Sequence, residues 1–213
     1  MIDSADIPGM LVVLSGPSGV GKTTVAERLI ERGGYLRSVS VTTRAPRENE
    51  KDGCDYCFIS REKFRELVNK GELIEHAEVH GNLYGTPKEP VREAVEIGEV
   101  LVMVIDVDGG EQVKAKGLDA LLLFLTPPTS GELVRRLQAR GSDSVKQQTI
   151  RISRAQQEME KAQTYYDEIL VNDDLEKCVA AVDIHVQKAR SVLKERRDAG
   201  ESLYPGLVPN TEN

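Results

Sequence analysis

The octapeptide GPSGVGKT at residues 16–23 constrains the fold more than any other stretch of the chain. It matches the pattern G-x-x-x-x-G-K-[ST] at every position, and this pattern is typical of a phosphate-binding loop between a buried strand and a helix. The flanking sequence predicts both elements, because the apolar run MLVVL precedes the loop at residues 10–14 and the helical pattern KTTVAERLIE begins at Lys22. The alternative is a glycine-rich turn that binds nothing, but pattern and context together favour a phosphate site.

Each part of this loop has a predicted role in binding a nucleoside triphosphate. The glycines allow backbone N–H groups to converge on phosphate oxygens, and the start of the following helix adds positive potential. Lys22 is predicted to reach the β- and γ-phosphates, and the Thr23 hydroxyl is predicted to bind Mg²⁺. The predicted ATP-binding residues of the loop are Gly16, Pro17, Ser18, Gly19, Val20, Gly21, Lys22, Thr23 and Thr24. The loop therefore predicts MgATP or MgGTP as a phosphoryl donor, but it does not identify the acceptor.

Apolar runs alternate with helical patterns along much of the chain, which favours an α/β fold. The runs VLVMVI at residues 100–105 and LLLFL at 121–125 are almost continuously apolar, as expected of parallel strands that are covered on both faces. Helical patterns follow both runs, and the last one, at 173–193, repeats apolar residues at helical spacing. We therefore predict a three-layer core with a central parallel sheet and helices on both sides.

A polar region interrupts this alternation. Residues 39–96 are rich in turn formers and contain only short strand patterns, at 56–59 and 74–79, with one helical pattern at 61–68. This composition predicts a small lobe inserted between the two halves of the core.

The predicted domain spans residues 8–193, and its core is formed by 8–38 and 97–193. A second polar stretch, at 140–154, is predicted to form a mobile lid. Residues 194–213 are predicted to form a flexible tail.

Composition limits the classes of partner. With 35 acidic and 28 basic residues the formal charge is -7, which argues against general binding of nucleic acid or of an anionic membrane. Three cysteines suggest a reducing compartment rather than a disulfide framework. The first apolar run is too short for a membrane span and lacks the basic flank of a signal peptide. A soluble cytoplasmic protein is expected.

Cys54 and Cys57 form a Cys-x-x-Cys that, with His76 and His80, imitates a zinc pattern. However, the stretch LIEHAEVHG alternates like a strand, and four residues along a strand separate two side chains by about 13 Å. The two histidines could then not bind one ion. We therefore expect these cysteines to be small filler residues.

Arg44 and Arg47 lie three residues apart in SVTTRAPRENEKDGCDYCF, at residues 40–58. Two guanidinium groups could hold an acceptor phosphate through bidentate, charge-assisted hydrogen bonds. The alternative is a pair of solvated arginines on a turn, and the arginines alone do not decide between the two.

Six stretches, in the correct order, resemble the guanylate kinase family. They are LSGPSGVGKTT, SVTTRAPRENEKDGCDY, IEHAEVHGNLYGTP, IDVDG, PPTSGELVRRLQARG and VNDDL. Each is moderately specific, and together they are highly specific. The resemblance covers residues 10–192 and implies a P-loop core, an inserted GMP-binding lobe and a helical lid. It implies transfer of the γ-phosphoryl group of MgATP to GMP or dGMP.

The resemblance also assigns residues to the two nucleotides by motif position. For GMP it implies Ser40, Glu75 and Thr86 at the guanine edge, Arg44, Arg47, Tyr56 and Tyr84 at the phosphate, and Glu50, Asp106 and Asp108 nearby. For ATP it adds Asn172 to the loop residues. The implied catalytic residues are Lys22, Arg44, Arg136, Arg140 and Arg151, of which the last three approach from the side of the lid. The implied partners are ATP and GMP, with neither nucleic acid nor membrane, and a homodimer is an assembly that the sequence allows.

The chemistry of these residue types agrees with such a reaction. Guanine presents N1–H and its 2-amino group as adjacent donors, and the carboxylate of Glu75 can accept from both, whereas adenine offers no such pair. The nucleophile is a phosphate oxygen of GMP, so catalysis needs positioning and cations rather than a general base. Arg136 and Arg140 are spaced i, i+4 and would share one helix face.

Three other functions remain open from the residues. Scaffold domains of similar fold bind peptides without catalysis, but they lack a working P-loop. A related kinase could act on a phosphorylated sugar or on another nucleoside monophosphate, although Ser40, Glu75 and Thr86 favour a purine edge. His76 and Leu83 stand where relatives often have aromatic residues, so the strand around Glu75 could differ in detail.

Overall fold

The computed structural model describes residues 8–79, 81–139, 145–204 and 207, and it contains nine strands and seven helices within these ranges. In chain order they are β1 (Met10–Ser15), α1 (Lys22–Arg32), β2 (Tyr35–Arg37), β3 (Val41–Thr42), β4 (Cys57–Phe58), α2 (Arg61–Asn69), β5 (Leu73–Val79), β6 (Asn82–Pro87), α3 (Lys88–Glu96), β7 (Val100–Val104), α4 (Val107–Ala115), β8 (Ala120–Thr126), α5 (Ser130–Ala139), α6 (Val145–Tyr165), β9 (Glu168–Val171) and α7 (Leu175–Asp198).

The core is a five-stranded sheet in the order β2-β7-β1-β8-β9, and all its pairs are parallel. Every residue of β1 is buried, as its continuous apolar run predicts for a central strand. The predicted α/β class with a central parallel sheet is therefore confirmed. The loops after β1, β7 and β8 all leave from the carboxyl edge of the sheet, which is where ligands bind in open parallel sheets.

A second sheet of four strands, in the order β4-β3-β6-β5, forms the inserted lobe. Its small core of Val41, Phe64 and Leu73 is separate from the main core. The lobe is smaller than the predicted range 39–96, because α3 packs on the main sheet through Val91 and Ala94. The amphipathic pattern of α3 does not reveal which of two cores it covers.

The predicted lid, 140–154, is helical in the part that the structure describes. Residues 140–144 lie outside the described residues. From Val145 the chain is a single helix of 21 residues, α6, which agrees with the helical lid that the family resemblance implies but continues beyond the predicted range to Tyr165. Its side chains contribute to the site from Arg151 onward.

The chain after Leu193 is ordered in the described residues, contrary to the expectation of a flexible tail. Helix α7 continues to Asp198, and Tyr204 and Leu207 are buried in the main core. The hydroxyl of Tyr204 donates to the Gly9 carbonyl at 3.1 Å and accepts from the Leu11 N–H at 3.4 Å. Isolated apolar residues in a polar tail gave no periodic signal for this packing.

None of the helices in the described parts of the chain combines the length and the apolar character that a membrane crossing requires.

Candidate active site

The phosphate-binding loop lies between β1 and α1, as its sequence predicts. Gly16 and Gly21 both have positive φ, +147° and +103°, which favours glycine. A Cβ atom at Gly16 would lie 2.3 Å from the Leu125 carbonyl oxygen, and one at Gly21 would lie 2.6 Å from Asn172 Nδ2. These two positions therefore need glycine for both conformation and space.

The start of α1 carries positive potential towards the loop. Its first turn contains Lys22 and no acidic residue, and the helix begins after Gly21 without a side-chain cap. The Lys22 ammonium lies over the loop, where it donates to the carbonyls of Gly16 at 2.5 Å and Pro17 at 3.2 Å. Thr23 and Thr24 are exposed beside it. This arrangement suits an anion with a bound cation.

Asn172, which follows β9, and Arg136, on α5, hold the loop through hydrogen bonds. The buried amide of Asn172 donates from Nδ2 to the Val20 carbonyl at 2.8 Å. Arg136 donates from Nη1 to the Asn172 carbonyl at 3.0 Å and from Nε to Glu132 Oε1 at 2.7 Å. Both residues are therefore fixed to the loop. The i, i+4 spacing of Glu132 and Arg136 is that of a helical ion pair, but Glu132 was not among the predicted site residues.

Helix α6 brings a second arginine to the loop. Arg151 Nη1 donates to the hydroxyl of Ser18 at 3.3 Å. The third predicted lid arginine, Arg140, lies outside the described residues. Arg136 and Arg151 thus reach the same loop from α5 and α6.

Glu158 on α6 is a residue that the sequence reasoning missed. It lies seven positions after Arg151, two helical turns along the same face. Burial raises the pKa of its carboxyl, which the charges of Asp106 and Asp108 raise further and that of Lys22 opposes. The sequence gave no local signal that this carboxyl would feel the charge of Lys22, since that depends on how α6 packs.

The predicted guanine-reading residues meet between the two sheets. Glu75, on β5, is 4% exposed, and its Oε1 accepts from the hydroxyl of Thr86 at 2.7 Å. The hydroxyls of Thr86 and Ser40 lie 3.4 Å apart. A Cβ atom at Gly109 would lie 3.0 Å from Glu75 Oε2, so the carboxylate rests against the first turn of α4.

Burial raises the pKa of Glu75 to about 7, and the charge of Asp106 adds to this effect, whereas the Thr86 hydrogen bond opposes it. A carboxylate with a pKa this high gains stability when a ligand supplies hydrogen-bond donors. A ligand that supplies hydrogen-bond donors would therefore favour the ionised form of Glu75.

Asp106 and Asp108 occupy the start of α4, but in different ways. Asp106 caps the helix by accepting from the Gly109 N–H at 2.8 Å. Asp108 is exposed and forms an ion pair with Lys161 of α6. Asp106 thus lies beside Glu75 and Gly109, whereas Asp108 joins α4 to the lid helix.

Arg44 is held firmly in the lobe. Its Nη2 donates to Glu50 Oε1 at 2.8 Å, and its Nε donates to the Tyr84 hydroxyl at 3.2 Å. The guanidinium carbon lies 5.5 Å from the centre of the Tyr56 ring, and the rings of Tyr56 and Tyr84 meet edge to face. Three predicted GMP-site residues, Glu50, Tyr56 and Tyr84, are therefore assembled around the Arg44 guanidinium group.

Glu50 also fixes the turn that carries Arg47. Its Oε2 accepts from the Arg47 N–H at 2.8 Å, while the Arg47 side chain is 77% exposed. Hydrogen bonds from Arg44 and from the Arg47 backbone lower the pKa of Glu50. The ionised carboxylate of Glu50 thus binds the side chain of Arg44 and the backbone of Arg47.

The zinc alternative has no support in the described residues. Within them no group of three or more histidine, cysteine, aspartate or glutamate side chains could hold a metal ion. His76 lies on the strand β5, as the alternating pattern predicts, and His80 lies outside the described residues. Cys54, Cys57 and Cys178 are free thiols.

Three kinds of comparison give one family. Residues 9–189 match the family model described as guanylate kinase. The guanylate kinase of Synechococcus sp. (strain CC9311) is 47% identical over 172 residues, which cover 80% of this chain and 90% of that protein. The guanylate kinase of Myxococcus xanthus (strain DK1622) is 44% identical over 171 residues, covering 80% and 82%.

A solved structure is also similar. The crystal structure of guanylate kinase from Anaplasma phagocytophilum superimposes with a TM-score of 0.71 at 36% sequence identity. The match covers 86% of this chain and 87% of that one.

Proposed function

This chain belongs to the guanylate kinase family, and we propose that it transfers the γ-phosphoryl group of MgATP to GMP or dGMP, giving ADP and the nucleoside diphosphate. The observation that carries the proposal is the presence, in one chain, of a P-loop and a buried carboxylate, Glu75, beside two hydroxyl groups. A P-loop alone would leave the acceptor open.

The donor nucleotide binds to the loop between β1 and α1. Backbone N–H groups of the loop and the start of α1 hold its phosphates, and Lys22 moves from the Gly16 and Pro17 carbonyls to the β- and γ-phosphates. The exposed hydroxyl of Thr23, one residue after Lys22, fits a ligand for Mg²⁺. The ion would neutralise charge on the phosphate oxygens.

Glu75 selects the base. Its carboxylate accepts from guanine N1–H and from the 2-amino group, while Thr86 and Ser40 complete the polar edge. Adenine would leave the buried carboxylate unpaired, which costs far more than a missing surface contact. The selectivity for guanine thus follows from the burial of one acidic group.

The arginines of the lobe hold the acceptor phosphate. Arg44 is already oriented by Glu50 and Tyr84, and the exposed Arg47 side chain needs only to turn inward. Glu50 prevents the two cations from repelling each other before the phosphate arrives. Because Arg44 is prearranged, little ordering remains for GMP to cause.

The transfer is an in-line displacement. An oxygen of the GMP phosphate forms a bond to the γ-phosphorus, and the bond from that phosphorus to the β–γ bridging oxygen breaks, with its electrons remaining on ADP. Lys22, Arg136 and Arg151 are placed at the loop to stabilise the charge that spreads over the γ-phosphoryl group. Arg140 is assigned the same role on its sequence position alone.

The other functions have less support. A non-catalytic binding module would not need the glycines, the lysine and the loop-bound arginines, all of which are in place. A sugar-phosphate kinase would not need a buried carboxylate with paired hydroxyls beside it.

An acceptor screen tests the proposal. ADP formation from MgATP should be fast with GMP and dGMP and slower by about two orders of magnitude or more with AMP, CMP and UMP. Lys22→Met should abolish turnover with every acceptor. Equal rates with AMP and GMP would contradict the assignment of Glu75, and turnover of no nucleotide would contradict the kinase activity itself.

A further inference from the structure

Strand β5, which carries Glu75, is an edge strand of the lobe sheet. Its inner edge pairs with β6, where Glu75 lies opposite Thr86. Its outer edge faces helix α4 of the core. Backbone groups on an outer edge normally bind water or another strand.

Here the side chain of Gln112 takes the place of a neighbouring strand. Its Nε2 donates to the His76 carbonyl at 2.9 Å, and its Oε1 accepts from the His76 N–H at 3.2 Å. One amide group therefore pairs with both backbone groups of the residue directly after Glu75.

Lys116, the residue that directly follows α4, binds the residues before Glu75. Its ammonium donates to the Leu73 carbonyl at 3.1 Å and also to the Ile74 carbonyl. The pairing of β5 with β6 shifts register between Leu73 and Glu75, which makes these carbonyls available to a side chain. The backbone is therefore attached to α4 on both sides of Glu75.

The first turn of α4 also contacts the carboxylate of Glu75, the predicted guanine-binding group. Asp106 caps α4, and Glu75 Oε2 packs against Gly109 in its first turn. The helix follows β7 of the core sheet, the strand next to β1 and its phosphate-binding loop. The distance between the base-reading carboxylate and the core thus depends on how β5 is attached to α4.

We propose that Gln112 is a positioning residue for guanine specificity, which fixes the backbone beside Glu75 so that both carboxylate oxygens meet the two donors of the base. This inference rests on the proposed function, since it concerns the acceptor of that reaction. Both polar atoms of the Gln112 amide bind the His76 backbone, so Gln112 acts through His76 and Glu75 rather than by contact with the base.

The test uses inosine monophosphate as a second acceptor. Inosine monophosphate has the N1–H donor of guanine but no 2-amino group, so it needs only one carboxylate oxygen to be aligned. The ratio of kcat/KM for GMP to kcat/KM for inosine monophosphate therefore measures the alignment of Glu75. A loss of folded protein lowers both values equally and leaves the ratio unchanged.

Gln112→Met removes both hydrogen bonds and keeps the length of the side chain. We expect the KM for GMP to rise about fivefold to tenfold and the ratio to fall about threefold or more, with the KM for ATP unchanged. The matched control is Gln187→Met, because Gln187 is exposed on α7. It should leave all of these values as they are.

Gln112→Glu provides a second variant of the same shape. It keeps an acceptor for the His76 N–H but turns a carboxylate oxygen towards the His76 carbonyl, so the ratio should fall further than in Gln112→Met. If Gln112→Met does not fold, Gln112→Glu decides by the same ratio.

The outcomes separate this inference from the proposed function. A wild-type protein that does not phosphorylate GMP contradicts the proposed function. A wild-type protein that does so, with variants whose ratio stays within about twofold of it, overturns the role of Gln112 alone. Variants that lose kcat equally with both acceptors also overturn it, because Gln112 would then be only structural.

Discussion

The charge of the Glu75 carboxyl group is expected to change with pH near neutrality. Its pKa is raised to about 7, chiefly by burial, so both protonation states are populated in this range. Only the ionised form accepts from N1–H and from the 2-amino group of guanine. Binding of GMP is therefore expected to release a proton from Glu75.

This linkage predicts that GMP affinity rises with pH up to the pKa and levels off above it. Below pH 7 the protein binds a proton that GMP must displace, so the dissociation constant should increase by up to about tenfold for each unit of pH decrease. Calorimetric titration with GMP between about pH 6 and pH 8 measures the effect, in buffers of different ionisation enthalpy.

The phosphate of GMP ionises in the same range, with a second pKa of about 6, and needs a control. Glu75→Gln removes the carboxyl and keeps the phosphate, so the difference between the two pH profiles belongs to Glu75. Parallel profiles for the two proteins would contradict the linkage.

At the scale of single residues, the sequence predicted which side chains lie together in the site but not the contacts from other elements that position them. Ser40, Glu75 and Thr86 are brought together as expected, because the motifs that carry them are specific. Gln112 and Glu158 were missed, since their roles depend on the packing of α4 against β5 and of α6 against the loop. A single sequence carries no local signal for contacts between distant elements.

Among the elements, the phosphate-binding loop is the one whose backbone conformation most limits substitution. Gly21 has a φ of +103°, and its Cα faces the Asn172 amide that donates to Val20. A methyl group there would displace this amide and disturb the loop. A Cβ atom at Gly21 is therefore expected to change both the loop geometry and the binding of ATP, through the Asn172 amide nitrogen.

Gly21→Ala is expected to raise the KM for ATP by about tenfold or more with little change in the KM for GMP. The control is Gly33→Ala, at the end of α1, which also has positive φ, +87°, but has nothing within 4 Å of the added Cβ. It should lower the free energy of unfolding by about 1 kcal/mol and leave both KM values unchanged. Steady-state kinetics with each substrate varied in turn distinguishes the two, and equal effects of both variants would contradict the role of Asn172.

The sequence predicted the elements with strong periodicity and missed those without it. β1, β7 and β8 stand out because strands buried on both faces are almost continuously apolar, with only Ser15 and Thr126 as polar residues at their ends. The helical character of the lid was predicted from the family resemblance rather than from periodicity, because the first half of α6 is polar and polarity alone does not separate a solvated helix from a loop. Helix α3 was included in the predicted lobe but packs on the main sheet. Its amphipathic pattern shows that one face is buried, but not which of the two sheets that face covers.

At the scale of the whole molecule, the end of the described chain is part of the core. Tyr204 is 4% exposed, and its hydroxyl joins Gly9 and Leu11 at the start of β1. This contact lies at the amino edge of the central strand, opposite the loop that follows Ser15. It should therefore affect stability without affecting catalysis.

Tyr204→Phe is expected to lower the free energy of unfolding by about 1–3 kcal/mol, because it leaves buried backbone groups without their partner. The KM values for ATP and GMP should remain unchanged. Denaturant unfolding measures the loss, and an unchanged midpoint would show that the contact contributes nothing in solution.

The attachment of β5 to α4 also bears on how copies of this protein behave towards one another. A bare outer edge of a sheet is a template on which a strand from a second molecule can add, which is one beginning of aggregation. At Ile74 and His76 that template is already occupied by Lys116 and Gln112 of the same chain. The side chains that align a carboxylate for its base thus also make this edge a poor starting point for intermolecular sheets, which favours solubility at high concentration.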